Sequence, residues 1–200
     1  DTTALAAQVL AIDAANLDGI TNISIAGAAA TTLVGTKTTT ISNLASGSTL
    51  ELTALLGTAQ DLALTGAFTG AADTFNLKLT GATDGFANAG NVTLAGVETV
   101  NITTSDVDAA TTVSTVMFSP KLTAAAATKV VISGTTGVTL ADSTLAAVRE
   151  VDASGVTGAG AAGVVTFTAN AFDTTIKGGA GNDALAGRAG NDTISGGAGT

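Results

Sequence analysis

The chain has 200 residues, a formal net charge of −9, 46% hydrophobic residues and 12% charged residues, the last against about 25% in ordinary soluble domains. That hydrophobic share excludes disorder driven by low hydrophobicity and high charge. The chain contains no His, Cys, Trp or Tyr, which excludes a Ser-His-Asp triad, a thiolate nucleophile, a disulfide and a Cys/His zinc site, so no enzymatic activity is expected. Its seven Lys and Arg, scattered from Lys37 to Arg188, form no basic stripe, so nucleic acid is not an expected partner. The acidic excess suits cation binding or plain solubility. No run approaches the length of a membrane span. The length suits one domain or a slab of a larger repeat structure. The chain opens at Asp1 without a charged n-region, so no signal peptide is expected within it.

In chain order, Thr2 to Leu17 carries Leu5, Val9 and Ile12 at helical spacing with Ala between. A short helix near residues 2–10 is one reading. Against it, Val9-Leu10-Ala11-Ile12-Asp13-Ala14-Ala15-Asn16-Leu17-Asp18-Gly19 shares the frame V-x-x-[IV]-D-A-x-x-[LV]-x-G with residues 148–158, where β-branched residues and Gly155 favour strand. Short alternating bursts follow: Asn22–Ile25, Thr49–Leu52, Asp61–Leu64, Phe75–Leu79, Val100–Ile102, Val130–Ile132, Val138–Leu140 and Val164–Phe167. Period-two alternation with β-branched enrichment gives each strand one apolar face. Turn residues punctuate the gaps at Ala26-Gly27, Ser46-Gly47, Thr65-Gly66, Thr80-Gly81 and Ser133-Gly134. The pattern predicts an all-β chain. A sandwich fills the space between its sheets with large side chains. A parallel β-solenoid (a β-helix or β-roll) stacks small and medium ones in ladders. Six Phe as the only aromatic residues, together with the internal similarity, favour the solenoid.

Several apparent motifs fail on context. Asp106 and Asp108 resemble two positions of a calcium loop, but no Gly and closing Glu follow at EF-hand spacing, so a solvated loop is expected. Gly158 to Gly163 spells G-x-G-x-x-G, yet a strand follows where a dinucleotide fold needs a helix. Asn22, Asn91 and Asn101 open glycosylation triplets that arise by chance in Thr-rich sequence. Glu150 and Asp152 share a strand face, but without an aromatic sugar platform a charge pair at a turn is the better reading than glycoside hydrolysis. Asp13 and Asp152 recur in the internal repeat and suit either a turn cap or a rung-edge calcium site.

The last 23 residues carry the chemistry. Gly178-Gly179-Ala180-Gly181-Asn182-Asp183-Ala184-Leu185-Ala186 fits G-G-x-G-x-D-x-U-x, with U a large aliphatic residue. Gly187-Arg188-Ala189-Gly190-Asn191-Asp192-Thr193-Ile194-Ser195 follows in register, with Arg188 in place of the second Gly. Gly196-Gly197-Ala198-Gly199-Thr200 opens a third copy. This text resembles the calcium-binding nonapeptide repeat of RTX proteins. Glycine lets the turn tighten until backbone carbonyls converge, and Ca²⁺ takes six to eight hard oxygens at about 2.3–2.6 Å. Candidate ligands are the turns Gly178, Ala180, Gly181, Asn182, Asp183 and Gly187, Ala189, Gly190, Asn191, Asp192, with Gly196 and Ala198 of the third copy. Leu185 and Ile194 are expected to point into the core. A site forms between copy n and copy n+2, so copy one should meet residues 196–200. Copy two should meet the degenerate stretch 169–177, which holds Asp173 and keeps Ile176 at the aliphatic position. Residues 1–177 are thus read as an Ala/Thr-rich solenoid and residues 178–200 as repeats continuing it.

Phrases ahead of these repeats resemble RTX-type bacterial S-layer proteins, the calcium-dependent lattice proteins of Gram-negative cell surfaces. They are Asp73–Leu79, Val92–Ile102 and Val151–Gly158, in the same order and spacing as that family's C-terminal region. The resemblance implies a calcium-bound solenoid at the cell surface or secreted, exported by a type I system, that self-associates into a two-dimensional lattice. It also implies a secretion signal beyond Thr200 and, through regions outside this stretch, contact with cell-surface polysaccharide. An RTX adhesin and an accessory β-roll of a secreted RTX protein are the alternatives.

Overall fold

The computed structural model describes residues 9–14, 21–25, 37–53, 60–66, 68–81, 91–107 and 118–199. The chain winds between two parallel sheets. One is built from β1 (Val9–Asp13), β3 (Lys37–Leu44), β5 (Gln60–Gly66), β7 (Asn91–Ala95) and β9 (Lys121–Thr123), in that order. The other runs β2 (Asn22–Ile25), β4 (Thr49–Leu52), β6 (Thr74–Gly81), β8 (Thr99–Asp106), β10 (Lys129–Gly134), β11 (Glu150–Val156), β13 (Thr175–Lys177) and β15 (Thr193–Ser195). β12 (Thr166–Thr168) pairs with β14 (Ala184–Ala186). Isolated bridges at Thr123–Thr144 and Thr139–Thr166 lie between β9 and β12 along the chain. Every pairing among the described residues is parallel, and the chain coils as the expected β-solenoid.

In-register parallel strands about 4.8 Å apart place like side chains in contact from rung to rung. Phe75, Val100, Val130, Val151 and Ile176 form one such inward column, and all five are fully buried. Leu50, Leu77, Ile102 and Ile132 form a second. Across the core, Leu62, Val92 and Leu122 form a third. Each buried Leu, Ile or Val contributes about 1.5–3 kcal/mol, and because the ladder supplies neighbours above and below, aromatic bulk is unnecessary. The edge-on pair Phe68–Phe75, with centroids 6.5 Å apart, fills one wider corner.

The outward positions join adjacent rungs. Glu51 pairs with Lys78 at 2.9 Å, Glu150 with Lys129 at 3.0 Å and Asp152 with Lys177 at 3.0 Å, each to the residue beside it in register. Asn101 Nδ2 donates to Asn76 Oδ1 at 2.9 Å in the same manner. Glu150 and Asp152 are therefore charge pairs between rungs, not partners of each other. Asp152 Oδ1 also accepts from Ser154 N and Oγ, and since both residues lie inside β11 this contact is within the strand and caps no turn. Asp13 Oδ1 takes a hydrogen bond from Asn43 Nδ2.

Rung length changes along the coil. Residues that meet across rungs are 27 apart at Asn76 and Thr49, 30 apart at Thr128 and Glu98, and 18 apart at Thr174 and Asp192. The final rungs are two nonapeptides long.

Three expectations need correcting. Val9 and Leu10, inside the helix considered for residues 2–10, belong to strand β1, while residues 1–8 lie outside the described residues. The shared frame of residues 9–19 and 148–158 does not mark equivalent rung positions, because Val9–Asp13 lies in the first sheet and Glu150–Val156 in the second. Alternation alone dictates similar text in either sheet. Finally, Ile194 is 46% exposed. It stacks on Ile176 on one side, and among the described residues no strand pairs with β15 on the other. Leu185 does pack against the core.

Candidate metal centre

Glycine-rich turns stack at two corners of the coil. At one, Gly178–Asp183 lies between an earlier turn around Gly160 and a later one at Gly196–Gly199. Ala180 N donates to Val156 O and Asn182 N to Gly160 O on one side, both at 3.1 Å. On the other, Gly178 N donates to Ser195 O at 2.7 Å and Ala198 N to Gly179 O at 2.9 Å. Copy one thus meets the opening of copy three. Asp183 sits at the seam: Oδ1 accepts from Val165 N at 2.7 Å and Oδ2 from Gly179 N at 2.8 Å.

Packing of oxygen in this turn explains why glycine stands there. A β-carbon on Gly178 would strike Asp183 Oδ2 and lie 2.5 Å from Gly196 O. A β-carbon on Gly199 would strike Gly181 O, and one on Gly197 would strike Gly179 O and lie 3.0 Å from Gly178 O. One carboxylate and carbonyls of two rungs therefore crowd a space that any side chain would fill. Gly196 is the exception, since a β-carbon there meets nothing within 4 Å.

Copy two, Gly187–Asp192, meets the degenerate stretch before it at the other corner. Asp192 Oδ1 accepts from Thr174 N at 3.0 Å, while Asp173 Oδ1 accepts from Asn191 N at 2.8 Å. Each stacked turn thus presents a carboxylate to the other's backbone. Gly190, at φ 118°, passes so close to Phe172 that a β-carbon would lie 2.8 Å from its carbonyl. Gly187 leaves room for Asp192 Oδ2, which would be 2.5 Å from a β-carbon. Arg188 occupies the left-handed region at φ 68°, as Gly197 does at 82° one copy later. At Arg188 the backbone thus takes a conformation that an L side chain adopts at a cost. Ala189 and Ala198 are exposed, as is Asn182.

The donor set is wholly hard oxygen, from carboxylates and backbone carbonyls, which suits Ca²⁺ and not a thiolate- or imidazole-seeking metal. Among the described residues no three acidic side chains cluster, so carbonyls from two rungs would have to complete any coordination shell.

The remaining acidic candidates take other roles. Asp106 closes β8, and its N–H donates to Thr135 Oγ1 at 3.2 Å; Asp108 lies outside the described residues. Gly158–Gly163 leads through a 3-10 turn into β12, so a strand does follow the G-x-G-x-x-G string. One corner went unnoticed in the sequence. Asp73, buried, accepts from Gly70 N at 2.8 Å and donates its N–H to Glu98 Oε2 at 2.9 Å. Beside them Gly96, at φ 75°, lies against Phe68 O as Gly190 does against Phe172. The string Gly70-Ala71-Ala72-Asp73-Thr74-Phe75 is a lengthened likeness of Gly190-Asn191-Asp192-Thr193-Ile194 and could have revealed it.

Among the described residues no helix is long and apolar enough to cross a membrane. Compared with known families, residues 168–200 match the RTX calcium-binding nonapeptide repeat in four copies. No curated protein matches the chain. The match begins before Gly178 and so takes in the stretch around Asp173 that stacks under copy two. RTX repeats are known calcium-binding motifs typical of secreted proteins, and residues 168–200 are an RTX-type repeat region built as the last rungs of a parallel β-solenoid.

Proposed function

We propose that this chain is a calcium-stiffened, non-enzymatic segment of a secreted surface protein that packs against copies of itself in a two-dimensional lattice. The observation behind the reading is the stacking of the repeat turns in direct register with the rest of the coil: β15 on β13, and β13 on β11. A change in the turns is therefore transmitted along a continuous sheet.

Asp183, with the carbonyls of Gly178 and Gly196, would hold one ion, and Asp173 and Asp192 would hold another. Bound Ca²⁺ would supply the positive charge that offsets these carboxylates and draws adjacent turns together. The chain's own role is to preorganise the oxygens. Backbone N–H groups of Val165, Gly179, Thr174 and Asn191 fix the three carboxylates, and glycines keep the space clear of side chains. Where Ca²⁺ is scarce, the carboxylates repel and the turns lose order, which suits export as an unfolded chain. At millimolar Ca²⁺ and an extracellular-module affinity of about 10⁻⁴–10⁻³ M, each site adds about 0.5–1.5 kcal/mol by mass action.

Electron microscopy of the purified chain with and without Ca²⁺ tests the lattice. Ordered sheets that vanish with chelator support it. Monomeric rods in both conditions support the second reading, an RTX adhesin stalk or accessory β-roll, which the ion pairs and hydrogen bonds running along the coil axis also fit.

A further inference from the structure

The stacked turns at the corner before the eight-stranded sheet change chemistry at one residue. Leu145–Val148 is the turn before the repeats, and it carries no acidic side chain. Its carbonyls nonetheless converge as those of a metal loop do. They converge on Asn170 Nδ2, which donates to Val148 O at 2.9 Å, Ala146 O at 3.0 Å and Leu145 O at 3.4 Å. Asn170 Oδ1 is held in turn by Phe172 N at 2.9 Å, which locks the amide with its nitrogen toward the carbonyls. Arg149 lies over the Phe172 ring at 4.1 Å and clamps the same two turns. Three residues on, Asp173 faces the opposite way and accepts from Asn191 in the following turn. The segment 170–173 thus shows an amide to the rung before it and a carboxylate to the rung after it.

We propose that Asn170 is a built-in cation substitute: its amide fills the carbonyl cage of Leu145, Ala146 and Val148, closes that turn to metal, and sets the boundary at which calcium dependence begins. An amide N–H₂ carries two partially positive hydrogens on a neutral group, so it serves the two nearer carbonyls, Val148 O and Ala146 O, at any calcium level, while Leu145 O also accepts from Val148 N at 3.3 Å. Rungs before the boundary are joined by this amide, by the Asn76–Asn101 contact and by the Glu51–Lys78 and Lys129–Glu150 ion pairs; the Asp152–Lys177 pair alone crosses it, and the rungs after it rely on Asp173, Asp183 and Asp192. Chelation should therefore loosen residues 175–199 and leave residues 121–156 folded. The inference rests on the calcium reading of the repeats, and the two can fail separately.

The test combines hydrogen exchange of the wild-type chain with melts of Asn170→Asp and Asn170→Ala, each in excess Ca²⁺ and in chelator. In the wild type, chelator is expected to strip protection from Thr193 and Ala198 N–H but not from Arg149 or Thr157 N–H. Asn170→Asp sets a carboxylate against three carbonyls. Its body transition should fall by about 5–10 °C in chelator and recover most of that loss when Ca²⁺ is restored, as a new ion fills the cage. Asn170→Ala loses the hydrogen bonds and gains no ligand, so its deficit should be the same in both conditions. Protection lost throughout the chain on chelation overturns the boundary while leaving calcium binding intact. An Asn170→Asp deficit that Ca²⁺ does not relieve overturns the substitute role. No exchange change anywhere on chelation overturns the calcium reading and the boundary with it. Should Asn170→Asp fail to fold, the wild-type exchange pattern decides.

Discussion

Gly181 and Gly196 occupy motif positions of equal rank in the repeat, yet the structure separates them sharply. A β-carbon on Gly181 would strike the Gly163 backbone and lie 2.6 Å from Val164 N, whereas one on Gly196 meets nothing within 4 Å. Neither has a positive φ, so steric room alone distinguishes them. Backbone cannot rotate aside as a side chain can, so Gly181→Ala must push apart adjacent rungs that are hydrogen bonded through Asn182 N and Gly160 O at 3.1 Å. Overpacking of this kind costs about 3 kcal/mol, which for a chain of this size lowers the melting midpoint by about 6–12 °C. Gly196→Ala should leave the midpoint within about 1–2 °C of wild type, since exposed changes without a mechanism stay within about 0.5 kcal/mol. Circular-dichroism melts in excess Ca²⁺ and in chelator measure both variants. Equal effects of the two substitutions would refute the stacking of Gly181 on Gly163.

Other outcomes follow from the same geometry. Arg188→Gly removes a side chain from φ 68° and should stabilise the repeats by up to about 1 kcal/mol after the entropy that glycine adds to the unfolded chain, read as a higher midpoint in Ca²⁺. Ile176→Ala opens a cavity in a fully buried column and should cost about 2–5 kcal/mol, whereas Ile194→Ala, at a position 46% exposed, should cost under about 1 kcal/mol; urea denaturation compares them. Acid titration probes Asp152, whose pKa is lowered from 3.8 to about 2, first by the Ser154 hydroxyl and then by the Lys177 ammonium, against a desolvation that raises it. A carboxylate depressed in the fold stabilises fully above its unfolded value of about 3.9, and that contribution is lost as pH falls toward 2. The solvent-screened benefit is about 1 kcal/mol, so the stability gap between wild type and Asp152→Asn should be present at pH 6 and close near pH 2.

Much of this architecture is legible in the residues. Alternation in Phe75–Leu79 and Asn22–Ile25 marks strands β6 and β2, and the repeat glycines mark turns that stack copy one on copy three and copy two on the stretch holding Asp173. The register is not legible, because rungs of 27, 30 and 18 residues share no single period. For the same reason the ion pairs Glu51–Lys78 and Asp152–Lys177 are hidden, being fixed by which strands lie side by side. Asp73 escapes notice since its turn is longer than a nonapeptide turn, and Asn170 since an isolated Asn carries no spacing signal. Ile194 stands in register with the fully buried Ile176 yet is 46% exposed, a difference no local pattern encodes.

Calorimetric titration of Ca²⁺ into the chelator-stripped 200-residue chain, beside an Asp183→Asn/Asp192→Asn variant, bears most directly on the central claim. Saturable binding with a Kd of about 10⁻⁴–10⁻³ M in the wild type, abolished or weakened at least tenfold in the double variant, is the predicted result. Absence of binding, or binding that the double variant retains in full, would contradict it.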